Sequence, residues 1–159
     1  MNKGTFKQHH LQGRRQALAM AAGALVLPLL PRLAHAQVPA LDPNVMAFTR
    51  GAEPRTGRVT VTLPLLADNG NSVPLRVTVD SPMTAQDHVK RIALISSRNP
   101  EPNMARFILG PRSGRADIST RVRLAGSQRV IAVAELSDGS YWLGSRDIVV
   151  THSACVDES

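Results

Sequence analysis

Two stretches of strict alternation constrain this chain more than anything else in it. Val59, Val61 and Leu63 alternate with Arg58, Thr60 and Thr62, and Leu75, Val77 and Val79 alternate with Arg76, Thr78 and Asp80. An apolar side chain at every second position gathers on one face of an extended strand and leaves the other face to water. That pattern marks half-buried antiparallel strands and does not fit the 3.6-residue period of a helix. Between the two stretches lies Asp68-Asn69-Gly70-Asn71, and Asn-Gly suits the positive φ angles of a hairpin turn.

Five further runs of strand character follow, at residues 89–95, 105–109, 116–124, 130–136 and 141–150, the last with an irregularity expected near Gly144. Each is bounded by turn chemistry. Asn99-Pro100-Glu101-Pro102 cannot continue a central strand, and Ser137-Asp138-Gly139-Ser140 reads as a hairpin joining the last two strands. About seven strands with turns every ten residues or so predict an all-β, immunoglobulin-like antiparallel β-sandwich. Residues 37–50, with Pro39, Pro43 and an apolar cluster at Val45, Met46 and Phe48, predict an extended start and a helical turn or two. Trp142, Phe107 and Met83 read as packing residues.

Net charge first suggests a nucleic-acid partner, because 19 Lys+Arg face only 12 Asp+Glu, a formal +7. Its distribution removes that suggestion. Residues 1–36 hold Lys3, Lys7, Arg14, Arg15 and Arg32 and no acid. An apolar run from Ala17 to Leu30 follows the arginine pair and is closed by Ala34-His35-Ala36. A basic stretch, a short apolar run and a small-x-small site make a secretory signal. The pair Arg14-Arg15 points to the twin-arginine variant. Left uncleaved, the same stretch would be an N-terminal anchor; cleaved, it leaves no membrane anchor. The remaining 14 Lys+Arg against 12 Asp+Glu leave only +2, which gives no electrostatic case for DNA or RNA. Arg121, Arg123 and Arg129 read as a solvated sheet face.

The chain expected is therefore an export signal at 1–36, an N-terminal segment at 37–56, a β-sandwich at 57–150 and a flexible C-terminal arm at 151–159. That arm, Thr151-His152-Ser153-Ala154-Cys155-Val156-Asp157-Glu158-Ser159, carries the only cysteine. An unpaired thiol in an exported protein implies intermolecular pairing or reactivity. His152 is three residues away and His88 is far off in sequence, too few ligands for a metal site. Asp157, Glu158 and the terminal carboxylate disfavour the thiolate by like-charge repulsion. Nothing in the tail supplies a base and its orienting partner. No catalytic residue is expected, and the thiol reads as a handle for other proteins' active sites.

Several motifs, in order, resemble the SoxY family of sulfur carriers. They are Leu63-Pro64-Leu65-Leu66-Ala67-Asp68-Asn69-Gly70, Val73-Pro74, Ser81-Pro82-Met83-Thr84, Val89-Lys90-Arg91-Ile92, Asn99-Pro100-Glu101-Pro102, Thr120-Arg121-Val122-Arg123-Leu124 and Ala132-Val133-Ala134-Glu135-Leu136-Ser137-Asp138-Gly139. The resemblance implies a periplasmic sulfur carrier in thiosulfate oxidation, with Cys155 as the covalent sulfur attachment point and no separate cofactor. It also implies a heterodimer with a SoxZ-like β-sandwich subunit, served by the Sox cytochrome, hydrolase and sulfane dehydrogenase enzymes. The family's arm is typically Gly-Gly-Cys-Gly-Gly, whereas here Ser153-Ala154 precede Cys155 and Val156-Asp157-Glu158 follow it. That difference keeps a second reading open: a binding or structural subunit that retains the SoxZ interface with lost or altered carriage.

Overall fold

The computed structural model describes Met1 and residues 42–154. The expected export signal at 1–36, Cys155 and the last four residues lie outside the described residues. The predicted helical turns are a single helix, α1 (Pro43–Thr49). Asp42 caps it, its Oδ1 accepting from the backbone N–H of Asn44 (2.8 Å) and Val45 (3.4 Å), which satisfies donors the first turn cannot. Pro43 fits the first turn because its missing N–H costs no hydrogen bond there. Arg50 adopts the left-handed conformation that closes the helix, and Gly51 follows at φ +84°.

Among the described residues nine strands follow: β1 (Arg55–Thr56), β2 (Val59–Thr62), β3 (Leu66–Asn69), β4 (Val73–Val79), β5 (Val89–Ser96), β6 (Asn103–Ile108), β7 (Asp117–Val122), β8 (Gln128–Leu136) and β9 (Tyr141–His152). A larger sheet runs β1-β9-β8-β5-β6, with β3 also beside β9, and a smaller one runs β2-β4-β7. The sheets make the expected sandwich. Strand β2 pairs antiparallel with β4 from Val59 opposite Val79 to Thr62 opposite Arg76. The alternating residues behave as their pattern demands, Val59, Val61, Val73, Leu75, Val77 and Val79 all being buried.

The larger sheet is covered on both faces. Ile92, Leu94, Val130, Ala132 and Ala134 pack toward the smaller sheet. Ala93, Ile95, Ile131, Val133 and Leu143 pack with Val45 and Phe48 of α1. This double cover is why β5 and β8 read as nearly unbroken apolar runs. Met83 fills the core as expected, 5% exposed, at φ +53° and with the Val89 N–H 3.4 Å from its sulfur.

Three expectations need correction. The stretch 68–71 is not a simple hairpin turn. The chain between β2 and β4 leaves the small sheet, and β3 pairs in parallel with β9, Leu66 opposite Val149 and Asn69 opposite His152. With β1, which also pairs in parallel with β9, this raises the strand number from about seven to nine and makes the sheet mixed at one edge. No irregularity occurs at Gly144 either. It pairs in register with Ala132, and it is glycine because a Cβ there would collide with the Val59 carbonyl. Finally, strand β9 runs two residues past Val150, to His152. The hairpin at 137–140 is as expected, with Gly139 at φ +82° and Glu135 opposite Tyr141.

Candidate functional site

The end of β9 is tied down by backbone. The Gly70 N–H donates to the His152 carbonyl at 2.7 Å, the Leu124 N–H to the Gly70 carbonyl at 2.9 Å and the Ala154 N–H to the Leu124 carbonyl at 3.1 Å. Three segments thus meet in one hydrogen-bonded chain: the end of β3, the connection after β7 and the end of β9. A Cβ on Gly70 would overlap the Leu124 carbonyl oxygen and crowd the Ala154 nitrogen. Glycine is required at 70 for this close approach, not for a positive φ. Side chains add to the tie. Thr151 Oγ1 donates to the Asp68 carbonyl, and His152 Nδ1 lies 2.8 Å from the same oxygen.

A second network holds the neighbouring 96–99 loop against the same rim. The Ser96 hydroxyl, 1% exposed, accepts from the Arg98 N–H (3.1 Å) and the Asn99 N–H (2.7 Å) and donates to Gln128 Oε1. Gln128 Nε2 donates to Asn99 Oδ1 (3.0 Å) and to the Gly126 carbonyl (3.2 Å). Asn99 Oδ1 also accepts from the Ala125 N–H at 2.9 Å, and Asn99 Nδ2 donates to the Arg123 carbonyl at 2.9 Å. Every buried side-chain polar atom described in the chain has a partner, as buried polar groups require. Ser127 joins this rim to β9, its Oγ accepting from the Val150 N–H at 2.9 Å.

Cys155 follows Ala154 directly in sequence. The two histidines are not brought together. The His88 N–H donates to Ser137 Oγ at 3.1 Å, which places it by the β8–β9 turn, at the opposite end of the twelve-residue β9 from His152. Among the described residues, no three His, Cys, Asp or Glu side chains converge as a metal site would need. Among them, too, no helix is long and apolar enough to cross a membrane. The arginines at 121, 123 and 129 do not share one face. Arg121 on β7 donates to Ser72 Oγ at 2.6 Å, and Arg129 on β8 pairs with Asp147 across the other sheet at 2.8 Å. Sequence reading missed Ser96, Gln128 and Arg98. Nothing in their spacing signals a shared rim, because β5 and β8 meet there only through sheet pairing.

The fold and this rim define a class: a two-sheet β-sandwich module whose strand β9 is tied at its end to one corner of the sandwich. The family model for sulfur oxidation protein SoxY matches residues 45–155, and the chain belongs to the SoxY family. Among solved structures, it is similar to the sulfur carrier protein SoxY from Chlorobium limicola f thiosulfatophilum, at 25% identity and a TM-score of 0.58 over 70% of this chain and 96% of that one. It is also similar to the superoxide reductase (neelaredoxin) from Ignicoccus hospitalis (18% identity, TM-score 0.53, covering 59% and 80%). A putative superoxide reductase from Thermotoga maritima matches at 21% identity with a TM-score of 0.50, covering 65% and 89%. These last two likenesses show the sandwich fold alone. No curated protein sequence matches the chain.

Proposed function

We propose that this chain is a periplasmic carrier of sulfur intermediates in thiosulfate oxidation, acted on by partner enzymes and not itself an enzyme. Cys155 is the covalent attachment point. The observation that carries the reading is the place of the single cysteine in the sequence. The SoxY match runs to residue 155, and Cys155 directly follows Ala154 in sequence, whose N–H makes the last backbone tie of the β9 rim.

In the loading step the Cys155 thiol and thiosulfate form a sulfur–sulfur bond, releasing one proton and two electrons. A c-type cytochrome takes the electrons. Water then cleaves the terminal sulfonate as sulfate at a hydrolase, releasing one proton and leaving a persulfide, S–SH, on Cys155. A sulfane dehydrogenase oxidises that sulfur further. Attachment to one carrier keeps the cargo at high effective concentration for each visiting enzyme. A SoxZ-like β-sandwich subunit completes a heterodimer, and the twin-arginine signal at 1–36 accounts for export.

Intact mass measurement of protein purified from thiosulfate-grown cells tests this reading. The expected result is a reductant-sensitive sulfur adduct confined to Cys155. A thiol that is always unmodified, or always a homodimeric disulfide, overturns it. One feature favours the second reading, a subunit that keeps the partner interface without carriage: the replacement of flanking glycines by Ser153, Ala154, Val156, Asp157 and Glu158. A Cys155→Ala strain that oxidises thiosulfate at the normal rate would establish that reading instead.

A further inference from the structure

We infer that strand β6 is a docking edge, built to take one more strand from a partner protein whose pairing segment is acidic. The inference uses neither the thiol nor its cargo. β6 ends the larger sheet and pairs on one side only, antiparallel with β5. Arg91 stands opposite Ile108 and Ala93 opposite Arg106, and the Leu109 N–H donates to the Lys90 carbonyl at 2.9 Å. Hydrogen-bonded and non-hydrogen-bonded pairs alternate along an antiparallel ladder. Ala105 and Phe107 therefore bond to β5, while the N–H and C=O groups of Arg106 and Ile108 point away from it. Among the described residues no other segment takes them up.

An open edge is a template for another strand unless the chain blunts it. β6 is blunted little: it contains no proline, and its one irregularity lies at the far end, opposite Leu94 and Ile95. Its side chains continue the sandwich outward. Ala105 and Phe107 are only partly buried against the core, so the apolar seam between the sheets reaches the edge. On the other face Ile108 is 86% exposed. Arg106, also exposed, lies beside it, its guanidinium 5.9 Å from the Phe48 ring centre. The other large apolar side chains exposed on the body, Leu65, Leu66 and Val149, lie at the opposite edge, where β3 already pairs with β9.

Charge selects the occupant. From Pro102 to Ala116 the chain carries Arg106, Arg112 and Arg115 and no acid. The acids around the edge are engaged elsewhere. Glu101 Oε1 accepts from the Asn103 N–H at 3.1 Å, Glu135 holds Lys90 and Arg91, and Asp117 holds Arg76. Among the described residues none of the three arginines has a carboxylate at ion-pair distance. A second copy of this chain would set one basic edge against another, and like charges facing across a ladder are destabilising. A strand with an acid opposite Arg106 gains a charge pair instead, and an apolar residue opposite Ile108 covers it. The same arginines thus attract the acidic partner and repel a second copy.

The test titrates the full isotope-labelled chain with two end-blocked peptides, Thr-Ile-Val-Glu-Thr and Thr-Ile-Val-Lys-Thr, and follows backbone amides by NMR. Aligned antiparallel to β6, the valine falls beside Phe107, the isoleucine opposite Ile108 and the charged residue opposite Arg106. The acidic peptide is expected to shift the Arg106 and Ile108 amides and to bind about fivefold more tightly than the basic one. That is the upper range of one cross-strand charge pair. Arg106→Glu reverses the order of the two peptides. Ile108→Pro removes an outward N–H, a change an edge strand tolerates, and abolishes the response; if it fails to fold, Arg106→Glu decides alone. Equal binding of the two peptides, no shift at millimolar peptide, or shifts centred on β3 or β7 overturns the inference. Concentration-dependent protection of Arg106 and Ile108 in the chain alone also overturns it, making a second copy the occupant. A sulfur adduct on Cys155, found or not found, changes none of these outcomes.

Discussion

Gly70 and Leu124 are joined by a backbone hydrogen bond of 2.9 Å, from the Leu124 N–H to the Gly70 carbonyl, at an approach so close that no side chain fits on residue 70. Adding a methyl must push the end of β3 away from the rim or break the tie to Ala154. Gly70→Ala is expected to destabilise the body by about 1–3 kcal/mol, the usual range for overpacking a tight site. Gly110→Ala is the control, since a Cβ there meets nothing within 4 Å, and it is expected to change stability by about 0.5 kcal/mol or less. Urea unfolding of the two variants makes the comparison. Equal midpoints would show that the approach at Gly70 relaxes without cost.

Asn99 joins three partners on the facing segment: the Ala125 N–H, Gln128 Nε2 and the Arg123 carbonyl. Asn99→Ala leaves Gln128, only 8% exposed, with an unmatched donor. The expected loss is about 1–3 kcal/mol. Faster amide exchange at Ala125 and Ala154, relative to the centre of β5, would locate the damage at the rim. Uniform acceleration across the sheets would mean the network supports the whole fold instead.

Glu135 is a 6% exposed carboxylate bonded to Lys90 at 3.0 Å and to Arg91. Burial alone would raise its pKa, but the hydrogen bonds and charges of Lys90 and Arg91 outweigh burial and hold it below its ordinary 4.5. A carboxylate depressed on folding contributes stability above its unfolded value, and that contribution disappears as pH falls through the folded one. Asp138, held down by the Ser140 hydroxyl and N–H, and Asp147, held down by Arg129, act in the same direction. Thermal stability should therefore drop steadily below about pH 4.5. Glu135→Gln should lower the plateau and flatten the acid limb. An acid limb of unchanged steepness would assign it to the aspartates.

Phe48 anchors α1 on the outer face of the larger sheet. It meets Tyr141 edge-on, at 6.1 Å between centroids, and the Arg91 guanidinium lies 4.8 Å from its ring centre. Phe48→Ala is expected to cost about 3–5 kcal/mol and to expose Ile131 and Val133 to water. Asp42→Ala, which removes only the helix cap, should cost about 1 kcal/mol. Calorimetry on the pair would separate the two. Equal losses would mean that α1 is held by its cap more than by its aromatic anchor.

The legible parts of this fold are those governed by local rules. The alternation at 59–63 and 75–79 located β2 and β4, and Asp138-Gly139 located the β8–β9 turn. Helix α1 was visible in Pro43 and the Val45, Met46 and Phe48 cluster. What stayed hidden depends on contacts between distant segments. The Asn69-Gly70 pair looked like a turn because Gly is permissive, whereas its real constraint is Leu124, more than fifty residues away. Gly144 misled in the same way, its constraint being Val59. The candidate thiol was legible as the single cysteine of the chain, while Arg98 carries no mark until pairing of β5 with β8 brings its loop to the end of β9.

Strand β9 also has a mechanical meaning. It is the strand that leads to the cysteine, and it is gripped on one side by β8 along most of its length and on the other by β1 and β3. A pull on the chain end runs along this strand's axis and loads those ladders in shear, many hydrogen bonds at once, instead of peeling them one by one. Traction applied at the end of β9 is therefore spread across the larger sheet and borne by the whole sandwich, not by the last turn alone.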